Sequence, residues 1–270
     1  MPRSLSLAAV FVSLAALAGC QGIDRAIAEA TVESTLQTSK NTGVGRMVYD
    51  DLRLPADGCL DPAAVAAEAA EAPNVGIYPE DCADKSAEGN EVHVAFDDCT
   101  GAFGRVHLRG TLDAELRATS CDALHADIIG GEDLTANDNP LAYSASAEVT
   151  ADGLLRFVDW TGHASLVNKR GNEVEVTSDL DVVVDRADDC IELAGESHGR
   201  VDDISVDATL GDLRVCPGAC PERGSVDLHA EGRRAERTLR IEFDGSRVAK
   251  VTGNEGDVFE VEMVCNDDEI

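Results

Sequence analysis

Glu91-Val92-His93-Val94-Ala95-Phe96 decides the fold class, because its apolar residues fall at every second position. Successive side chains of an extended strand point to opposite faces, so Val92, Val94 and Phe96 share one face while Glu91, His93 and Ala95 share the other. The same rhythm governs residues 173–182, where Val174, Val176, Leu180 and Val182 oppose Glu173, Glu175, Asp179 and Asp181. It returns in Ala145, Ala147 and Val149, in Ile204 to Leu210, in Val226 to Ala230, and in Phe259, Val261 and Met263. Each predicted strand has one buried and one wet face.

The connections are short. Thr100 to Gly104 turns 91–96 into Val106 and Leu108, placing Ala95 opposite His107 and His93 opposite Arg109. Ala151-Asp152-Gly153 precedes a strand from Leu154 to Trp160 and a separate short run from His163 to Asn168. Lys169 to Asn172 forms the next turn, and Asp244-Gly245 suits a tight hairpin between Leu239–Phe243 and Val248–Val251. Roughly ten to twelve strands without a long helical crossover predict an all-β antiparallel domain. It is expected as a curved sheet, a sandwich or a partly open barrel.

Two helices interrupt the pattern. Ile23, Ile27, Ala30 and Leu36 recur at helical spacing behind the first twenty residues, giving a tether helix or linker over 20–43. Arg46 to Leu54 reads as a first strand. Asp61-Pro62 then starts a short alanine-rich helix, with Asp61 as N-cap and Pro62 in the first turn. That helix lies in an insertion at 55–89, expected to be held by a disulfide rather than by a core. The β domain spans 44–270.

At the N-terminus, Arg3 precedes a Leu, Ala and Val run that is too short to span a bilayer and ends in Leu17-Ala18-Gly19-Cys20. These residues resemble the type II signal peptide and lipobox of bacterial lipoproteins. The resemblance implies removal of residues 1–19, lipidation of Cys20 with palmitate among its acyl chains, and attachment to the cell envelope. Gln21 in place of Asp implies the outer membrane. An elongated curved sheet behind such an anchor also resembles periplasmic lipid-carrier lipoproteins in outline, which keeps an apolar-ligand carrier as an alternative.

The chain has nine cysteines; setting Cys20 aside leaves Cys59, Cys82, Cys99, Cys121, Cys190, Cys216, Cys220 and Cys265. An even set in an exported chain predicts four disulfides. Spacing suggests Cys59 with Cys82 and Cys99 with Cys121, the other four closing the C-terminal half. The competing reading makes Cys216-Pro217-Gly218-Ala219-Cys220 half of a thiolate metal site, although the second short cysteine pair or nearby histidine is missing.

With 52 acidic against 22 basic residues and a net charge of −30, the chain repels nucleic acid and anionic headgroups. Aromatic residues at 4% are too few for a stacked carbohydrate platform. No G-x-S-x-G accompanies His93, His107, His125, His163, His198 and His229, so a hydrolase is the weaker alternative. His93 and His107 lie diagonally in the expected register, but Arg105 and Arg109 beside them oppose a shared metal. The pairs Asp97-Asp98, Asp188-Asp189, Asp202-Asp203 and Asp267-Asp268 carry little weight in so acidic a chain. Calcium is the one cofactor left open, at the oxygen-rich loop Gly131 to Asn139, which lacks the D-x-[DN]-x-[DN]-G pattern. Arg233, Arg234, Arg237, Arg240, Arg247 and Lys250 form a basic cluster that Glu231, Glu236 and Glu242 can neutralise across strands. The expectation is a non-catalytic, membrane-anchored structural or interaction module, without metal, whose protein or lipid partner the sequence does not name.

Overall fold

A computed structural model describes residues 25, 27–29, 31–32, 59–71, 77–79, 81–101, 107–167, 171–185, 187–188, 190–201, 204–216, 219–232, 235–254, 256–263 and 265. The expected signal peptide, Cys20 and the strand expected at 46–54 lie outside the described residues. Among the described residues there are two helical stretches: α1, seen at residues 25, 27–29, 31 and 32, and α2, Pro62–Glu71. Asp61 caps α2 by accepting the Ala63 N–H at 3.0 Å, as expected of a short carboxylate before a first-turn proline.

Fifteen strands form one antiparallel sheet. They are β1 (Ile77–Tyr78), β2 (Ala83–Glu88), β3 (Glu91–Gly101), β4 (His107–Ala118), β5 (Ala123–Gly130), β6 (Thr135–Ala136), β7 (Asn139–Asp152) and β8 (Leu155–Val167). The second half continues with β9 (Glu173–Asp185), β10 (Ile191–Val201), β11 (Ile204–Val215), β12 (Arg223–Gly232), β13 (Ala235–Phe243), β14 (Val248–Gly253) and β15 (Val258–Glu262). From β7 onward each strand pairs with the next in sequence. β1 and β2 share one side of β3, and β6 continues the place of β5 between β4 and β7. The sheet is a long meander with two ends, not a closed barrel.

Its apolar face is continuous, because Val158 lies opposite Val182, Trp160 opposite Leu180 and Ala164 opposite Val176 where the halves meet. Two core clusters lie along it, with Trp160 and Val182 packed against both. The first holds β2 to β8, with Val65 and Ala66 of α2 buried among their side chains. The second holds β9 to β15, with Ala28 and Val32 of α1 buried and Ile27 packed alongside. Leu213, Val215, Ile241 and Val251 are almost wholly inaccessible, and burying a side chain of this size contributes about 1.5–3 kcal/mol. Arg25 fixes α1 to the last strand: its guanidinium donates to the Glu260 carbonyl at 3.1 Å and lies over the Phe259 ring.

Several expectations are corrected. All eight cysteines other than Cys20 are paired, but Cys59 joins Cys121 and Cys82 joins Cys99. Leu60 N donates to Cys121 O, which brings Cys59 to the β4–β5 turn, and Asp97 N donates to Cys82 O across β2 and β3. The insertion therefore belongs to the sheet and its core, with β2 paired to β3. Cys190 with Cys216 and Cys220 with Cys265 close the C-terminal half and remove the thiolate-site reading of 216–220.

In the first hairpin β3 runs further toward the turn than expected, to Gly101, β4 begins at His107, and a bulge between Phe96 and Cys99, with Asp98 at φ 57°, shifts the pairing by one. His93 therefore faces Asp113, Ala95 faces Thr111 and His107 faces Thr100. The two runs expected on either side of Gly162 are one strand. Gly162 is held extended by its pairing with Ala145 and Ser178, and the Trp160 indole takes the place of a side chain there: a Cβ would lie 2.9 Å from Trp160 Nε1 and from Ser178 Oγ.

Candidate functional site

Since the apolar face is core, the chemistry that meets solvent is spread over the other face of the sheet. Strand register sorts it into rows. One row runs Arg117, His125, Glu148, Asp159, Asp181 across β4, β5, β7, β8 and β9. Another carries four of the six histidines: His93, Asp113, Ile129, Ser144, His163, Thr177, His198, Asp207, His229, Thr238.

Every histidine has a carboxylate partner. Nδ1 of His93 lies 2.6 Å from Asp113, that of His107 3.2 Å from Asp98 and that of His198 2.7 Å from Asp207. His163 Nε2 is 3.3 Å from Glu175, and His229 Nδ1 is 3.8 Å from Glu236. His125 bridges Asp127 and Glu148, each at 3.1 Å, while Arg117 also binds Asp127 and Thr119 Oγ1 donates to Glu148 at 2.5 Å. The rings are distributed along the sheet and not gathered at one point. His93 and His107 engage different carboxylates. Among the described residues, no group of three or more His, Cys, Asp or Glu side chains is placed to hold a metal ion.

The loop considered for calcium uses its oxygens on itself and on β4. Asp133 Oδ1 accepts from Thr111 N at 3.1 Å and from Thr111 Oγ1 at 2.6 Å. The Thr111 hydroxyl is the main reason the Asp133 carboxyl lies below its ordinary range. Asn137 Oδ1 accepts from His107 N at 2.9 Å, and Asp138 lies 3.5 Å from Arg109. Leu134, 1% exposed, fills the space beneath.

Directly opposed acids mark the centre of the face. Asp159 lies between Glu148 and Asp181. Its carboxyl is held above the ordinary value, first by desolvation and then by the charge of Asp181, a hydrogen bond to Asp181, and the charges of Glu148 and Asp179. A carboxyl whose folded pKa is raised favours the fold below the unfolded value and loses that contribution as the pH rises through the folded value. Asp159→Asn should therefore stabilise the protein at pH ~7 by about 0.5 kcal/mol, the gain vanishing near pH ~3. Urea unfolding at the two pH values measures this; an Asn variant no more stable than wild type at neutral pH would refute the repulsion.

Two members of the basic C-terminal cluster, Arg240 and Lys250, are paired with acids of the sheet. Arg240 Nη1 donates to both oxygens of Asp227, at 3.0 and 2.8 Å, and Nε approaches Glu242 at 3.4 Å; Lys250 lies 3.8 Å from Glu242. Arg233 and Arg234 lie outside the described residues. The strongest basic centre is one that sequence reasoning did not single out. Arg214, with its side chain 15% exposed, binds Asp188, Glu192 at 2.7 Å and Glu222 at 3.0 Å beside the Cys190–Cys216 bridge. The only sequence trace is an arginine between Leu213 and Val215, both core residues.

No protein-family model, curated protein or solved structure matches the chain. Among the described residues, no helix is long and apolar enough to cross a membrane.

Proposed function

We propose that the protein is an envelope lipoprotein, anchored to the outer membrane through acyl chains on Cys20, that works without catalysis as a structural or interaction module presenting the polar face of its sheet. The observation that carries this reading is the division of labour between the faces. The apolar face is packed with its own side chains and with α1 and α2, leaving Leu213, Val215, Ile241 and Val251 inaccessible. The polar face spreads its histidines along rows in which each ring meets a carboxylate of the same sheet. A nucleophile with its base, or a metal with three ligands, requires convergence. A carrier requires apolar surface left open to its cargo.

A native, non-reducing mass spectrum of residues 21–270 from an oxidising periplasm tests the reading. The expected species is the bare polypeptide, eight hydrogens lighter than the reduced chain because of its four disulfides. An adduct of lipid mass that survives purification would replace this reading with the carrier. Cys20→Ser should in parallel move the full-length protein from the membrane fraction to the soluble one, and persistence in the membrane would refute the acyl anchor.

A further inference from the structure

We propose that His93 is a proton-operated latch, which fastens β3 to β4 when the ring is doubly protonated and slackens when it is neutral; His198 is the corresponding position between β10 and β11. The two sites repeat one geometry. Each ring presents Nδ1 to the aspartate directly across the ladder, His93 to Asp113 at 2.6 Å and His198 to Asp207 at 2.7 Å. Each presents Nε2 to the glutamate two residues earlier on its own strand, Glu91 or Glu196, at 3.8 Å in both cases. Both are written in the sequence as Glu-x-His.

A neutral ring donates to the facing aspartate as a neutral Nδ1–H; protonation at Nε2 makes that cross-strand hydrogen bond charge-assisted and adds attraction to the glutamate, which at 3.8 Å is an ion-pair contact. The acids around the His93 ring reinforce this preference, whereas a cation stands beside His198. His93 is bordered by Glu91 on β3, by Thr111, Asp113 and Glu115 on β4, and by Asp84, Ser86 and Glu88 on β2. Around His198 stand Glu196 and Arg200 on β10, Ser205, Asp207 and Thr209 on β11, and Glu175, Thr177 and Asp179 on β9. Arg200 pairs with Glu175 at 3.5 Å, and His229 of β12 lies opposite Asp207. His125 also touches two carboxylates, but Arg117 already holds Asp127, so a permanent cation shares that place.

For His93 the ring pKa is raised, chiefly by its hydrogen bond to Asp113 and further by the charges of Asp113, Glu91 and Glu88. The sign follows from linkage: the latch is fully present below the ordinary histidine value and is lost as the pH rises through the higher folded value. Position gives the latch its leverage. β3 is the next strand in from the edge formed by β1 and β2, so slackening at His93 loosens the terminal hairpin.

Equilibrium urea unfolding of the oxidised chain at pH ~5.5 and pH ~8 tests the latch, using wild type and H93Q. Glutamine keeps size and polarity but cannot take up the proton. At pH ~5.5 H93Q should lower the folding constant about two-fold; at pH ~8 it should stay within about 1.3-fold of wild type. D113N, which removes the facing charge, should reproduce the low-pH loss. A wild-type-to-variant ratio that is the same at both pH values would overturn the proposal, because a merely structural role predicts that constancy.

Discussion

Gly195→Ala is expected to destabilise the protein by about 3 kcal/mol. Gly195 sits at φ +130°, where the β10–β11 register shifts between Leu193 and Gly195. A Cβ at this position would press into the Asp179 carbonyl oxygen and lie 2.8 Å from Leu180 Cα, both parts of the neighbouring backbone. No side-chain rotation relieves such a contact, so β9 and β10 must separate. Gly153→Ala is the matched control: its φ is +57° and nothing lies within 4 Å of the added carbon, so about 1 kcal/mol of backbone strain is expected. Urea denaturation of both variants separates the terms, and equal losses would refute a steric origin at Gly195.

A comparable loss should follow removal of the Cys59–Cys121 bridge. The two residues are 62 positions apart, and closing a loop of that length in the unfolded chain corresponds to about 4 kcal/mol of stability. Both cysteines are exposed, so replacing them with serine opens no cavity and the effect reports chain connectivity. The double variant should unfold at a correspondingly lower urea midpoint with its other three bridges intact. A loss below about 1 kcal/mol would mean that Leu60 and α2 hold the insertion without the bridge.

How far these features were legible depends on the range of the interaction behind them. Period-two alternation is local, so residues 173–182 divided into faces as they divide in the fold, with Val174, Val176 and Leu180 buried. The cap at Asp61 is local too. Disulfide partners are not local: nearness along the chain favours Cys82 for Cys59, while the fold supplies Cys121 through the placement of Leu60 at the β4–β5 turn. The register of β3 and β4 escaped because β3 runs on to Gly101 and β4 starts only at His107, past the turn expected at Thr100 to Gly104, and the pairing is then moved by one at a bulge. Its trace was Asp97-Asp98 inside an apolar strand, aspartate being among the few side chains that tolerate positive φ. The Arg214 centre was hidden most deeply, since Asp188, Glu192 and Glu222 meet only after three connections have been folded.

The meander has a kinetic corollary. From β7 to β15 every ladder joins a strand to the one just made, so each pairing closes a short loop and the chain has an unusually low contact order for an all-β protein of its size. Assembly can then run as successive hairpin closures, each new strand docking on an edge that already exists. The contacts that must wait are those that return to an earlier part of the chain: α1 against β15, and the 45-residue span between Cys220 and Cys265. α1 is thus secured only once β15 is in place, and the closure of the C-terminal half comes late in assembly.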